Sequence, residues 1–222
     1  MLEIKSFIFG PFQTNTYVVN DGQQVWLIDP ACSNEYERQV LYKYIEDWRL
    51  KIGDWRFQII ATHGHLDHLW GAKWATETWR TPVLMHEADI PMAKAMQQQY
   101  NMFGVRATAE EFAIEGISNF LSHKGNDYFK FLILSERLFQ ISNMSILSTP
   151  GHTPGSVCLY WPEEKALLSG DTLFCMGYGR TDLPGGNMGQ LIDSLERLFA
   201  LPADVRVYPG HGEDTTIGAE RR

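Results

Sequence analysis

A run of metal-binding residue types constrains this chain more than any other feature of its sequence. The run contains three histidines and an aspartate: His63, His65, Asp67 and His68. It follows directly on the apolar stretch Phe57–Ala61, which has the composition of a buried β-strand. Imidazole nitrogens and carboxylate oxygens are ligands that zinc and iron accept. The fold must therefore present these side chains together on a loop at the end of a strand, and the sequence predicts a metal site there.

Spacing within this histidine run (residues 63–68) divides its members between two metal positions. Side chains two residues apart on an extended loop, such as His63 and His65, reach one metal ion together. Asp67 and His68 stand at the predicted start of a helix, so they point elsewhere and can serve a second ion. The alternative is a polar strand-to-helix loop without a metal, in which Asp67 caps the helix.

Three further candidate ligands share one position, because each lies on a glycine-bearing loop just after an apolar stretch. They are His152 in Thr149–Gly155, Asp171 in Ser169–Thr172 and His211 in Pro209–Gly212. Functional side chains of α/β proteins gather on loops beyond the ends of strands. We therefore expect these three residues to converge with the histidine run. His86 and His123 fall outside the pattern, and we interpret both as surface or satisfied polar residues.

Stretches of strand and helix character interleave along the chain, which indicates an α/β fold. Strands are predicted at Ile4–Phe9, Thr16–Val19, Val25–Ile28, Phe57–Ala61, Val83–Met85, Leu138–Ile141, Ser145–Leu147, Val157–Tyr160, Ala166–Leu168 and Val205–Tyr208. Helices are predicted from Asn34 to Trp48 and at Asp67–Thr78, Glu87–Asn101 and Gly189–Phe199, and Thr108 with Glu111 predicts another helix start.

We expect one domain over residues 1–222, with an insertion at about 104–130. The aromatic side chains of that segment are interpreted as local core rather than as a lid over substrate: Phe112, Phe120, Tyr128 and Phe129.

Composition and charge exclude several classes of protein. The 222 residues carry a formal net charge of -8 without a basic stripe, which disfavours binding to nucleic acid. The longest unbroken apolar run, Val157–Trp161, is far shorter than the ~20 residues of a membrane span. Residues 1–10 lack the basic segment and long apolar stretch of a signal peptide. The three scattered cysteines suggest reduced thiols. We therefore expect a cytoplasmic protein. We interpret Cys32, Cys158 and Cys175 as structural.

The histidine run and the three later candidates follow the ligand pattern of the metallo-β-lactamase-fold hydrolases. The chain resembles that family over nearly its whole length. The resemblance implies a four-layer αββα sandwich with two divalent metal ions at one edge of its two sheets. It implies seven ligands, which are His63, His65 and His152 for the first ion, Asp67, His68 and His211 for the second, and Asp171 as a bridge. We expect zinc, with iron and manganese as alternatives that suit the same ligands. The resemblance also makes Asp67 the candidate proton acceptor.

Two divalent ions ~3.5–4 Å apart share a bridging water and lower its pKa to near 7. Hydrolysis of an activated acyl or phosphoryl bond then needs no protein nucleophile.

Several segments are similar to the glyoxalase II-like (hydroxyacylglutathione hydrolase-like) enzymes: Gly10–Phe12, Asn15–Tyr17, Gly170–Phe174 and Gly177–Arg180. This similarity implies a thioesterase in which a metal-bridging hydroxide attacks the thioester carbonyl. Because only residues 212–222 follow His211, the chain resembles the short members of that group.

Arg180 is the candidate substrate-binding residue. In glyoxalase II enzymes a basic residue shortly after the bridging aspartate helps to hold a carboxylate of glutathione, and Arg180 occupies the similar position. A guanidinium group binds a carboxylate bidentately, so this role is chemically reasonable. The alternative is that Arg180 pairs with Asp182 and braces its own loop. The expected partner is therefore a small-molecule substrate, an anionic thioester.

Two other functions stay open. A mononuclear-iron persulfide dioxygenase of the same fold has a loop similar to Gly179–Asp182, and it uses residues matching His63, His152 and Asp171 for one iron. Oxygen uptake with glutathione persulfide distinguishes that enzyme from a thioesterase, which works without oxygen. The other alternative is a non-catalytic metal-binding module, which the complete ligand set disfavours.

Overall fold

The computed structural model describes residues 2–51, 56–105, 139–141 and 143–221, and only the backbone of residues 139–141. The predicted helix start at Thr108 and His123 lie outside the described residues, as do the four aromatic residues of the predicted insertion. The chain divides into two compact units. The first unit comprises Met1–Met85 and Ile90–His123, and the second comprises His86–Asp89 and Lys124–Arg222. The prediction of one domain stays a prediction.

The first unit is built on a five-stranded mixed sheet in the order β1-β2-β3-β4-β5. Its strands are β1 (Glu3–Phe9), β2 (Thr14–Asn20), β3 (Gln24–Ile28), β4 (Arg56–Ile60) and β5 (Val83–Leu84). Strands β1 to β3 pair antiparallel, whereas β3, β4 and β5 pair parallel. Parallel pairing brings the carboxyl ends of β3 and β4 to the same edge, and the histidine run begins just beyond β4.

Five helices of the described residues belong to this unit: α1 (Glu35–Lys51), α2 (Leu66–Leu69), α3 (Ala72–Trp79), α4 (Ile90–Lys94) and α5 (Met96–Met102). Helix α1 begins as predicted, because the Asn34 side chain accepts a hydrogen bond from the Glu37 N–H at 3.0 Å. The Glu37 carboxylate in turn accepts from the Ser33 N–H at 2.6 Å. Leu41 and Ile45 of this helix are buried in the core of the unit.

The single helix predicted over Asp67–Thr78 is wrong, because the chain breaks between α2 and α3. At the break the Gly71 N–H donates to the Pro30 carbonyl at 2.7 Å. A Cβ atom at Gly71 would lie 2.2 Å from the Cys32 Sγ atom, so only glycine allows this approach.

The predicted helix Glu87–Asn101 is also divided, into a 3-10 turn at Glu87–Asp89 followed by α4 and α5. Pro91 lacks an N–H and fits only the first turn of a helix, so α4 begins at Ile90.

The second unit contains a six-stranded sheet in the order β13-β12-β9-β8-β7-β6 and a separate β10-β11 hairpin. Its strands are β6 (Phe139–Ile141), β7 (Met144–Ser148), β8 (Val157–Trp161), β9 (Ala166–Gly170), β10 (Leu173–Phe174), β11 (Gly177–Tyr178), β12 (Arg206–Pro209) and β13 (Thr215–Thr216). Helices α6 (Met188–Phe199) and α7 (Ile217–Glu220) complete it. Since β7, β9 and β12 run in the same direction, their carboxyl ends share one edge of the sheet.

The predicted α/β class is confirmed, and each predicted strand coincides with an observed one to within one or two residues in the described part of the chain. Helix α6 was also predicted, and it buries Leu191, Leu195 and Leu198 at helical spacing. The short elements β10, β11, β13 and α7 were not predicted, because two to four residues carry too little periodicity. Among the helices of the described residues, none has the length and apolarity that a membrane crossing requires.

Candidate metal centre

The three histidines of the histidine run are buried, on the loop after β4 and in α2. His63, His65 and His68 are 1%, 7% and 0% exposed. The ring centroid of His63 lies 4.9 Å from that of His65 and 4.1 Å from that of His68. In each of these two pairs the candidate ligand atoms lie within 4.8 Å of one another. Imidazole nitrogens that lie this close together suit the binding of divalent cations.

Asp29 is a residue of this site that sequence reasoning missed. It follows β3 directly, it is buried, and its φ of 51° is in the left-handed region that non-glycine residues avoid. Its Oδ1 atom accepts from the Thr62 N–H at 2.7 Å, and its Oδ2 atom accepts from the Thr62 hydroxyl at 2.7 Å. The same Oδ2 atom lies 2.9 Å from His68 Nδ1. Because a carboxylate only accepts, Nδ1 carries the proton and Nε2 is left as the ligand atom.

Asp67 is held by a residue from a distant strand. Its Oδ2 atom accepts a hydrogen bond from the Thr14 hydroxyl at 2.9 Å and lies 3.5 Å from His68 Nε2. The N-cap position of α2 is His65, and no side chain caps it. Asp67 is therefore not the cap of this helix, contrary to that part of the alternative.

The side chain of Gln99, in α5, forms hydrogen bonds that hold the backbone of the histidine run in place. Its side-chain amide donates to the Gly64 carbonyl at 3.1 Å, and its side-chain oxygen accepts from the Leu66 N–H at 3.0 Å. Neither Thr14 nor Gln99 was singled out in the sequence, because each is a common residue type far along the chain from the run it holds.

The second unit brings its three predicted ligands together. The Oδ2 atom of Asp171 lies 3.5 Å from His152 Nε2 and 3.6 Å from His211 Nε2. His152 and Asp171 are buried, whereas His211 is partly exposed. The Arg180 carbonyl lies 2.7 Å from His152 Nδ1. Since that carbonyl only accepts, the Nδ1–H donates to it and Nε2 again faces the carboxylate as the ligand atom.

Close backbone packing holds these loops in place. The Gly210 N–H donates to the Gly170 carbonyl at 2.7 Å, which joins the loops after β12 and β9. A Cβ atom at Gly179 would lie 1.9 Å from the Asp171 carbonyl oxygen, so glycine is required beside that ligand. The Thr149 and Thr172 hydroxyls lie 2.9 Å apart and join the loops after β7 and β9.

The donor chemistry of each unit fits divalent metal ions. The first unit offers histidine nitrogens and the Asp67 carboxylate, and the second offers two histidine nitrogens and the Asp171 carboxylate. Zinc, iron and manganese all accept this mixture. Asp67, His68 and His152 are each oriented by a hydrogen bond with a residue outside these sets, as is usual for metal ligands.

Arg180 pairs with Asp182, as in the alternative in which it braces its own loop. Its Nε and Nη2 atoms donate to the two Asp182 carboxylate oxygens, both at 2.6 Å. The hydrogen bond from Arg180 lowers the pKa of Asp182 to about 2 and raises that of Arg180. Both side chains are exposed. The role of Arg180 in holding a substrate carboxylate stays a prediction.

Burial supports the structural role predicted for Cys32 and Cys158, and His86 is a satisfied polar residue, as was predicted. Burial raises the pKa of Cys32 to about 12 and that of Cys158 to about 11, so both stay protonated at neutral pH. Cys175 is exposed. The His86 ring accepts a hydrogen bond from the Ala88 N–H at 3.1 Å.

Mixed sheets whose strand-end loops carry clustered histidine and aspartate side chains are typical of metallo-hydrolases of the α/β class. The chain belongs to the metallo-β-lactamase superfamily, whose family model matches residues 9–211. It is 32% identical to the hydroxyacylglutathione hydrolase GloC of Haemophilus influenzae, over 95% of this chain and 91% of that protein.

Two solved structures are also similar to the chain. The first is the di-iron-bound form of TTHA1623, with a TM-score of 0.76 and 31% identity over 98% of this chain and 97% of that one. The second is ETHE1 from Myxococcus xanthus, with a TM-score of 0.65 and 25% identity over 99% of this chain and 82% of that one. These similarities confirm the metallo-β-lactamase-like fold.

Proposed function

We propose that the chain is a dinuclear metal-dependent thioesterase of the glyoxalase II-like group. The observation that carries the proposal is that in each unit a candidate ligand histidine has its Nδ1 atom bonded to an acceptor, which leaves Nε2 for a metal ion. The proposed ligands are His63, His65 and His152 for one ion, Asp67, His68 and His211 for the other, and Asp171 for both.

Bound divalent ions supply Lewis acidity and a water of lowered pKa, so no side chain has to act as the nucleophile. The protein residues bind, orient and accept protons. Asp67 is the proposed proton acceptor, and the hydrogen bond from the Thr14 hydroxyl fixes the orientation of its carboxylate. The raised pKa values of Cys32 and Cys158 argue against either thiol as a nucleophile.

The proposed substrate is a small anionic thioester. The similarity to a hydroxyacylglutathione hydrolase supports thioester chemistry. The pair with Asp182 uses the Nε and Nη2 atoms of Arg180, and we assign the Nη1 side of the guanidinium to a substrate carboxylate.

The experiment measures metal content and the release of free thiol from S-lactoylglutathione and from an uncharged thioester. We expect hydrolysis that is lost on chelation and restored by zinc, iron or manganese. His152→Ala should lower metal content and activity by at least about 10- to 100-fold. Gln39→Ala is the control, because the Gln39 side chain is exposed on α1 and lies outside the ligand set, and it should change neither. Hydrolysis that survives complete removal of metal, or an acyl-enzyme trapped during turnover, contradicts the proposal.

A second candidate is a mononuclear-iron persulfide dioxygenase. It is favoured by the Gly179–Asp182 loop, in which the Arg180 carbonyl accepts the hydrogen bond from His152. Oxygen consumption by the iron-loaded protein with glutathione persulfide supports this candidate, whereas thioester loss without oxygen supports the thioesterase. A metal-loaded protein that is inert in both assays supports a non-catalytic metal-binding module.

A further inference from the structure

Asp89 is a buried carboxylate outside the proposed ligand set, and it binds the loop that carries His152. It ends the 3-10 turn Glu87–Asp89, belongs to the second unit and is 0% exposed. Its Oδ1 atom accepts from the Gly155 N–H at 2.6 Å, and its Oδ2 atom accepts from the Thr153 hydroxyl at 2.6 Å. These are short, charge-assisted hydrogen bonds, which are stronger than neutral ones.

The rest of the loop is connected to this carboxylate. The Thr153 hydroxyl lies 2.7 Å from the Ser156 hydroxyl, which also accepts from the Thr153 N–H at 3.1 Å. Because the Thr153 proton is directed to Asp89, the Ser156 hydroxyl donates to Thr153. Thr153 and Ser156 are both buried, so water does not replace these contacts. Asp89 is therefore the final acceptor of the hydrogen bonds in this network.

Gly155 shows how closely the carboxylate approaches the loop. A Cβ atom at this position would lie 2.7 Å from both Cγ and Oδ1 of Asp89. Any residue larger than glycine at position 155 would therefore clash with the Asp89 carboxylate.

We propose that Asp89 is a positioning residue, which fixes the backbone of Thr153–Gly155 and so directs the imidazole of His152. The inference rests on the proposed role of His152 as a metal ligand. The Arg180 carbonyl holds the His152 ring, and the Asn187 N–H holds the Gly151 carbonyl at 2.7 Å, so Asp89 supplies the restraint on the following residues. Without Asp89, two buried donors lose their acceptor and the loop must rearrange to satisfy them.

This assignment predicts an effect on one metal position only. His152 belongs to the proposed set with His63 and His65, whereas His68 and Asp67 are held by Asp29 and Thr14 of the first unit. Loss of Asp89 should therefore weaken the binding of one ion and leave that of the other unchanged.

The experiment titrates the metal-free full chain with zinc against a chromophoric chelator, so that two dissociation constants are resolved. Asp89→Ala should weaken one of them by about 10- to 100-fold, the range for residues that orient metal ligands. Gly155→Ala keeps the carboxylate but displaces it, and it should weaken the same constant. Asp89→Asn should largely restore binding, because its oxygen still accepts from Gly155 and its amide can donate to the Thr153 hydroxyl.

Val205→Ala is the matched control for a purely structural effect. It shortens a side chain of the second unit that is 0% exposed and whose backbone bonds are to Pro202 and Ile217. It should lower the unfolding temperature and leave both dissociation constants unchanged. Unchanged constants in both Asp89→Ala and Gly155→Ala would overturn the inference and leave the proposed function standing. A wild-type chain that binds no zinc, iron or manganese would overturn both.

Discussion

The Nδ1 atom of His68 lies 2.9 Å from the Oδ2 atom of Asp29, and the two side chains are 0% and 2% exposed. Asp29 follows β3 and His68 lies in α2, just beyond β4, so the parallel pairing of β3 with β4 brings the two residues together. His152 is oriented instead by a backbone carbonyl. A carboxylate raises the basicity of its imidazole partner more than a neutral carbonyl does, so the two histidines are not equivalent as ligands.

Asp29→Asn should lower the affinity for one of the two ions by about 10- to 100-fold. The asparagine side chain has one acceptor oxygen, so its amide nitrogen must face either the Thr62 N–H or the protonated Nδ1 of His68. A zinc competition titration measures the effect. Asp21→Asn is the control, because Asp21 accepts backbone hydrogen bonds in a turn of the same unit. Equal affinities in Asp29→Asn and the wild type would show that Asp29 does not orient the ligand.

Thr14→Val should reduce kcat for thioester hydrolysis, since it removes the hydroxyl that donates to Asp67. A hydrogen bond to a charged group contributes about 1.5–3 kcal/mol, so the expected loss is roughly 10- to 150-fold. Thr14→Ser retains the hydroxyl and should keep most of the activity. Steady-state kinetics on metal-saturated protein check this. Wild-type kcat in Thr14→Val would show that the hydroxyl does not orient Asp67, and equal losses in the two variants would show that the shape of the side chain is required as well as the hydrogen bond.

The sequence predicted the strands and the ligand candidates because both have local signals. Apolar runs mark the strands, and the spacing of His63, His65 and His68 identifies a metal site without any knowledge of the fold. Asp29 and Asp89 have no such signal. Each is a single aspartate whose partner lies far along the chain, 39 residues away for His68 and 66 for Gly155. Their roles depend on tertiary packing, which periodicity and spacing do not describe.

The break between α2 and α3 was missed for the same reason. The segment Asp67–Thr78 has helical character, and a glycine within a helix costs only about 1 kcal/mol. Gly71 instead packs against Cys32 and bonds to Pro30, and both of these contacts come from a segment about forty residues earlier in the chain.

The free energy of unfolding should fall as the pH rises above about 9, and Cys158 should cause part of that fall. Burial raises its pKa from 9.0 to about 11, so the native state holds the thiol proton more tightly than the unfolded state does. The stabilisation is complete below pH 9 and is lost as the pH rises towards 11, by up to about 3 kcal/mol. Urea unfolding between pH 7 and 11 should give a flatter pH dependence for Cys158→Ala than for the wild type. Cys175→Ala, at an exposed cysteine, should follow the wild type, and parallel curves for all three proteins would contradict the prediction.

Arg180→Met should raise KM for acidic thioesters much more than for uncharged ones, without a change in metal content. A charged hydrogen bond contributes about 1.5–3 kcal/mol, so the expected increase in KM is roughly 10- to 150-fold. If the contact is equally strong in the ground and transition states, kcat stays the same. Asp182→Asn separates this role from bracing, because it weakens the pair that now joins the two side chains. If Arg180 only braces the loop, Asp182→Asn should mimic Arg180→Met, and both variants should lose activity equally on charged and uncharged thioesters.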